Sequence, residues 1–280
     1  MHPWPVWVLS GVDPSGGAGL HQDLRVLESL GLSPRGIPTS LTVQNLSVVK
    51  EVFPVPGAVF RKMAETVGEL ERPMGIRVGL LPDVLVGDLL SLLGKWSHGI
   101  PVVLDPVFRF GTGDRFWDPG SYREIARTVF PFVEILTPNL PEAEVLLGRR
   151  IAPGREEMES AARSLLERFS LRSVYLKGGH APGLRKLDLF LDREEKEGLF
   201  LENPSVSIPG LHGGGCTLAS LILGHRVRNP SVPLTGVVTR ARTLFQEALL
   251  WESRQEGGSR RTLERFFGRG FTGKTRSPEE

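Results

Sequence analysis

Trp4-Pro5-Val6-Trp7-Val8-Leu9-Ser10-Gly11-Val12-Asp13-Pro14-Ser15-Gly16-Gly17-Ala18-Gly19 changes character halfway along. Its first part, residues 4–10, is an apolar run of strand length and reads as a buried strand. Residues 11–19 are a glycine-rich loop. Residues 18–30 then place Leu20, Leu24, Leu27 and Leu30 on one face of a helix. Strand, loop and helix in that order open a βαβ unit.

The same alternation continues along the chain. Further strands are expected at 36–44, 75–81, 101–107, 134–137, 173–177 and 187–191. Helices are expected at 58–70, 82–96, 141–147, 156–169, 216–226 and 234–252. The implied fold class is α/β, with a mostly parallel sheet covered by helices on both faces. Residues 1–256 are expected to form one domain, followed by a Gly- and Arg-rich tail over 257–280 with a helical turn at 263–267.

Composition narrows the function. A 40% hydrophobic share in 280 residues supports a true core, and a net charge of +2 gives no reason to expect nucleic acid or an anionic membrane as partner. No apolar run approaches the roughly 20 residues that span a bilayer. Cys216 is the single cysteine, so no internal disulfide exists, which fits a cytoplasmic setting.

Gly268-Arg269-Gly270-Phe271-Thr272-Gly273-Lys274-Thr275 matches the Walker A pattern. A working P-loop follows a buried strand and opens a helix. Residues 263–267 are not strand-like, and 276–280 are too few and too polar for that helix. The reading preferred here is a flexible basic tail.

His212-Gly213-Gly214-Gly215-Cys216-Thr217-Leu218 is more pointed. Three glycines lead directly into an apolar helical pattern, where free N–H groups and the helix dipole make an anion site. A cysteine at a helix start is expected to have a lowered pKa. The other reading is a small residue packing the first turn. The 11–19 loop is equally open, either a plain turn or a ligand loop beyond a strand end.

Three further strand ends carry polar side chains. Asp105-Pro106-Val107 ends the strand expected at 101–107, and Lys177 precedes Gly178, Gly179 and His180. Asn139 and Glu142 stand between a strand and a helix. Asn139 is suited to capping that helix, and Glu142 either to its first turn or to holding Mg2+ through water. An Asp, an Asn/Glu pair, a Lys and an anion site at carboxyl strand ends are the parts that phosphoryl transfer needs.

These motifs, in order, resemble the hydroxymethylpyrimidine and hydroxymethylpyrimidine-phosphate kinases of thiamine biosynthesis, within the ribokinase superfamily. The resemblance runs from about Val6 to Gly224 and rests on the 11–19 loop with Asp23, Ser40-Leu41-Thr42-Val43-Gln44-Asn45, Val103-Leu104-Asp105-Pro106-Val107, 137–144, Leu176-Lys177-Gly178-Gly179-His180, Asp188-Leu189-Phe190-Leu191-Asp192 and the 212–218 turn. It implies a ribokinase-like fold, commonly dimeric, using ATP and Mg2+. Gln44 would bind the aminopyrimidine, with Gly11, Asp23, Leu80 and Val107 at the pocket wall. Asn139, Lys177 and Asp188 would serve the nucleotide, and Glu142 and Asp105 the metal. Gly213, Gly214 and Gly215 would form the anion hole, and Cys216 would be the base. Pyridoxal-type kinases phosphorylate a similar hydroxymethyl group, and a non-catalytic pyrimidine- or nucleotide-binding homologue is the alternative of another class.

The chain departs from that pattern at named positions. Gly214 stands where the family usually has threonine, Ile208 replaces a second threonine, and Leu80 replaces a frequent methionine. After Val107 comes Phe108-Arg109-Phe110-Gly111, where Arg109 either reads a substrate phosphate or faces solvent.

Overall fold

The computed structural model describes residues 4–108, 118–179, 185–255 and 262–268. Strands β1 (Pro5–Val12), β2 (Ser33–Gln44), β3 (Val49–Pro54), β4 (Ile76–Val78), β5 (Val102–Leu104), β6 (Ile135–Leu136), β7 (Ser173–Leu176), β8 (Arg185–Asp192) and β9 (Leu199–Pro204) form one sheet. Their order is β3-β2-β1-β4-β5-β6-β7-β8-β9. Strands β2 through β7 of that order run parallel, whereas β3, β8 and β9 pair antiparallel at the two edges.

Helices α1 (Gly19–Ser29), α2 (Gly57–Leu70), α3 (Val86–Trp96), α4 (Pro119–Val129), α5 (Leu140–Leu147), α6 (Arg155–Arg168), α7 (Gly214–Arg228), α8 (Leu234–Ser253) and α9 (Glu264–Phe267) cover it. The strands alternate faces as the pleat requires. Trp7, Leu9, Val78, Leu104 and Leu136 pack with α2 to α6, while Val6, Val8, Val103 and Ile135 pack with α1, α7, α8 and α9. Both faces are apolar because both are covered, as in parallel sheets generally.

The expected elements are found with ends shifted by a few residues. Three were not anticipated. β3 is exposed at most positions and reads Val-Lys-Glu-Val-Phe-Pro, so it lacks a buried strand's signature. β9 is a second short edge strand. α4 begins Pro-Gly-Ser, which reads as a turn, but Asp118 caps it by accepting from Gly120 and Ser121 N–H, and proline suits the first helical turn. Residues 82–85 start as a 3-10 turn before α3 rather than as α-helix.

The turn expected at 263–267 is α9, and it docks on the body of the fold. Leu263 and Phe267 are buried in the α1/α7/α8 core, and Thr262 forms an isolated parallel bridge with His212. The Walker A match beyond Gly268, like His180 and Arg109-Phe110-Gly111, lies outside the described residues.

Leu263→Asp places an unpaired charge in this core. It is expected to cost at least about 3 kcal/mol of stability, read by urea unfolding. A variant as stable as the parent would show that α9 contributes nothing to the core.

Candidate active site

The carboxyl ends of β1, β5, β6 and β7 open into a cleft of roughly 810 Å³ with the start of α7 on one side. This is the expected place for a ligand in an open α/β sheet. Gly11, Gln44, Leu80, Asp105, Val107, Asn139, Glu142, Lys177, Asp188, Gly213, Gly214, Gly215 and Cys216 all line it.

Two glycine loops meet at its rim. Gly213 is the left-handed N-cap of α7, at φ 80°, and a Cβ there would stand 1.9 Å from Gly17 O. Only glycine allows this approach. Gly19, at φ 55°, opens α1 where a Cβ would likewise clash with Gly11 O, though less severely. Asp13 ties the loops together. Its Oδ1 accepts from Ser15 N–H and Oγ, while its Oδ2 accepts from Ala18 N–H and, at 2.9 Å, from His212 Nε2. Burial would raise the Asp13 carboxyl, but the His212 and Ser15 hydrogen bonds hold it well below the usual carboxylate range. The 212–218 motif contained His212, yet nothing local showed that its partner lies in the first loop.

Gly214 and Gly215 form the first turn of α7, with Cys216 directly after them. A Cβ on Gly214 would make only ordinary contacts at 3.4 Å and beyond, so the backbone there does not itself demand glycine. Gly215 is tighter, since its Cβ would meet Asp105 Oδ2 at 3.0 Å and Lys177 Nζ at 3.4 Å.

Lys177 Nζ donates to Asp105 Oδ1 at 2.7 Å, and Thr137 Oγ1 donates to the same oxygen at 3.0 Å. Burial opposes the Asp105 charge, but Lys177 and then Arg77 outweigh it and hold the carboxyl below its usual range. Asn139 and Glu142 form a reciprocal capping box on α5. Asn139 Oδ1 accepts from Glu142 N–H and Glu142 Oε2 from Asn139 N–H, both at 2.8 Å. Both residues also face the cleft, so capping and ligand binding are compatible here.

Among the described residues no group of three or more His, Cys, Asp or Glu could hold a metal. Asp105 is a poor direct ligand in this arrangement, because Lys177 and Thr137 occupy one of its oxygens and Arg77 faces the other. The donor set fits Mg2+ arriving with phosphates and touching Glu142 through water.

Three further expectations change on this geometry. Asp23 does not reach the cleft. It is fully buried, hydrogen-bonded to Ser220 Oγ at 2.7 Å and 3.6 Å from Arg77 Nε. Asp188 lines the cleft but is spent on protein partners, accepting from Gly178 N–H, Tyr175 OH and Arg242 Nε. It holds the turn after Lys177 and the Arg242 side chain of α8. The Cys216 pKa moves opposite to expectation. Burial pushes the thiol up to about 12, the Asp23 charge adds to this, and Arg77 only partly offsets them. A local rule about helix starts could not foresee two carboxylates brought in by other elements.

A family model for phosphomethylpyrimidine kinase matches residues 13–261. The chain belongs to the phosphomethylpyrimidine kinase family. A hydroxymethylpyrimidine/phosphomethylpyrimidine kinase of Aquifex aeolicus is 30% identical over 243 residues, covering 86% of this chain and 92% of that protein. Its counterpart in Salmonella typhimurium is 30% identical over 223 residues, with 80% and 83% covered. Among solved structures, a phosphomethylpyrimidine kinase from Clostridium difficile superposes with TM-score 0.74 at 26% identity, over 88% of this chain and 99% of its own. The pyridoxal kinase of Staphylococcus aureus superposes with TM-score 0.75 at 25% identity, over 88% of both chains. The α/β ribokinase-like fold is thus shared by kinases of this family named for two different ring substrates.

Burial pushes the Glu142 carboxyl up to about 7 from its usual 4.5, against the pull of Lys177. The folded protein then holds a proton that the unfolded chain releases between those pH values. The stabilisation from this group is present below pH 4.5 and lost as pH rises through 7. Glu142→Gln keeps an acceptor for Asn139 N–H. Relative to the parent it is expected to gain about 2–3 kcal/mol of stability between pH 5 and pH 8, measured by urea unfolding. Parallel pH profiles would contradict the buried, raised carboxyl.

Proposed function

We propose that the chain is an ATP-dependent kinase of 4-amino-5-hydroxymethyl-2-methylpyrimidine and its monophosphate, in the cytoplasm and on the route to thiamine. One observation carries this reading. Gln44, Gly11, Leu80 and Val107, which the family resemblance assigns to the pyrimidine, share one cleft with Lys177 and the Gly213–Gly215 turn.

The division of labour follows from the chemistry. Gln44 offers both a donor and an acceptor to an aminopyrimidine edge. Leu80 and Val107 supply apolar wall, and Thr39 Oγ1 holds Leu80 in place through its carbonyl oxygen. Lys177 would neutralise nucleotide phosphates. The amides of Gly213, Gly214 and Gly215 would meet the oxygens of the transferring group at the helix N-terminus. Bound Mg2+ would supply charge neutralisation between the phosphates. Glu142 would orient the waters around it.

Cys216 would take the proton of the hydroxymethyl group. With its pKa pushed up to about 12, the thiolate is only a small minority at neutral pH. In a loose transition state the attacking oxygen bonds late, so its proton becomes acidic only as the new P–O bond forms. The acting base is then the minor thiolate form, present once the thiol has lost its own proton to solvent, and its high pKa makes it a strong acceptor at that moment. A dimer is proposed on the family resemblance, and sedimentation velocity checks it.

A coupled ADP-release assay with the pyrimidine, its monophosphate and pyridoxal tests the reading. Turnover of both pyrimidines above pyridoxal is expected. Faster turnover of pyridoxal supports the pyridoxal-type alternative. Tight binding of the pyrimidine without product supports the non-catalytic homologue. Cys216→Ala is expected to bind substrate normally and lose on the order of 10²-fold in kcat. An unchanged rate would remove Cys216 from the proton transfer.

A further inference from the structure

Position 77 is the anomaly of the sheet. β4 lies in its middle, and there Arg77 pairs in register with Val8 on one side and Val103 on the other. Both neighbours are fully buried core residues on the α1/α7 face, and so is Arg77, with no exposed surface at all. An aliphatic side chain is what that row calls for. Replacing buried ion pairs by well-packed apolar groups is often neutral or stabilising, so stability alone is a weak reason for an arginine here.

The guanidinium points to where the site's charges converge. Nε lies 3.6 Å from Asp23 Oδ1, and Nη2 lies 3.7 Å from Asp105 Oδ2. Nη1 donates to the Val78 carbonyl. Among the described residues, neither Nε nor Nη2 has a partner within hydrogen-bonding distance. Burial works against the cation, but Asp23 and then Asp105 keep it charged. Cys216 directly follows Gly215, whose Cβ would stand 3.0 Å from Asp105 Oδ2, the oxygen that faces Arg77. Asp23 is anchored to α7 through Ser220, and Asp105 carries Lys177. The two acids therefore hold one cation, without saturating it, directly beneath the first turn of α7.

We propose that Arg77 is a positioning residue of the transfer site: a buried cation, shared by Asp23 and Asp105, that sets the charge beneath the anion-binding turn and its Cys216. It acts through Asp105 and Cys216 and does not touch substrate. Asp23 thereby gains a role distinct from ligand binding, as the carboxylate that draws part of the Arg77 charge away from the thiol. The consequence for turnover rests on the kinase reading above. The consequence for the thiol does not.

Cys216 is the only cysteine in the chain, so its alkylation by iodoacetamide at fixed pH reports on this charge without any substrate. Arg77→Met is expected to slow alkylation by about tenfold or more and to lower kcat by a similar factor, with KM for both substrates within about threefold. Arg77→Lys is expected to restore most of both. Asp23→Asn frees Arg77 for the thiol and is expected to speed alkylation by about threefold or more. A loss of packing alone would not move the two substitutions in opposite directions. Alkylation of Arg77→Met at the parent rate or faster overturns the proposal, as does a loss confined to melting temperature or to KM. If Arg77→Met does not fold, Asp23→Asn decides, and unchanged or slower alkylation overturns the proposal. If the parent phosphorylates none of the three test acceptors, the kinase reading fails while the alkylation results still judge Arg77.

Discussion

Lys177 and Asp105 meet at 2.7 Å across the ends of β7 and β5, and Gly215 lacks a side chain where they meet. That ion pair gathers the rest of the site around it. It is buried, so it survives only because its charges are compensated. Thr137 hydrogen-bonds the carboxylate, Arg77 stands behind it, and the start of α7 covers it. The parallel core, β2 through β7 of the sheet order, brings these ends to one side, where the cleft opens.

The second constraint is the contact between the glycine loops. Gly213 against Gly17, with Asp13 bonded to His212, fixes the anion turn relative to the loop after β1. In the proposed function one loop borders the ring and the other faces the phosphate. Their tie would then set the distance between the two reactants, the quantity on which positioning catalysis depends. Thr262, bridged to His212, extends this tie to the chain's C-terminal side.

Much of this was legible in the sequence, for identifiable reasons. β1, α1 and the other central elements are driven by burial on both faces, which leaves apolar runs and periodic leucines. Edge strands β3 and β9 bury little, and α4 opens with turn residues, so none of them carried that signal. Cleft residues such as Asp105, Lys177 and Gly213 were visible because polar or glycine residues at strand ends interrupt an apolar pattern. Asp23, Asp188 and Arg77 were misread or overlooked because their partners come from distant elements, and spacing along the chain says nothing about them. The Cys216 pKa shows the same limit of local rules: the helix start favours a thiolate, whereas burial and the carboxylates of α1 and β5's end disfavour it.

The central claim is that ring-binding wall, anion turn and Cys216 form one reaction site. The most direct measurement is a crystal structure with the aminopyrimidine and a non-hydrolysable ATP analogue bound together. The account predicts the hydroxymethyl oxygen between Cys216 Sγ and the γ-phosphate, about 3–3.5 Å from each. A ring bound elsewhere, or a hydroxymethyl oxygen turned away from Cys216, would contradict it.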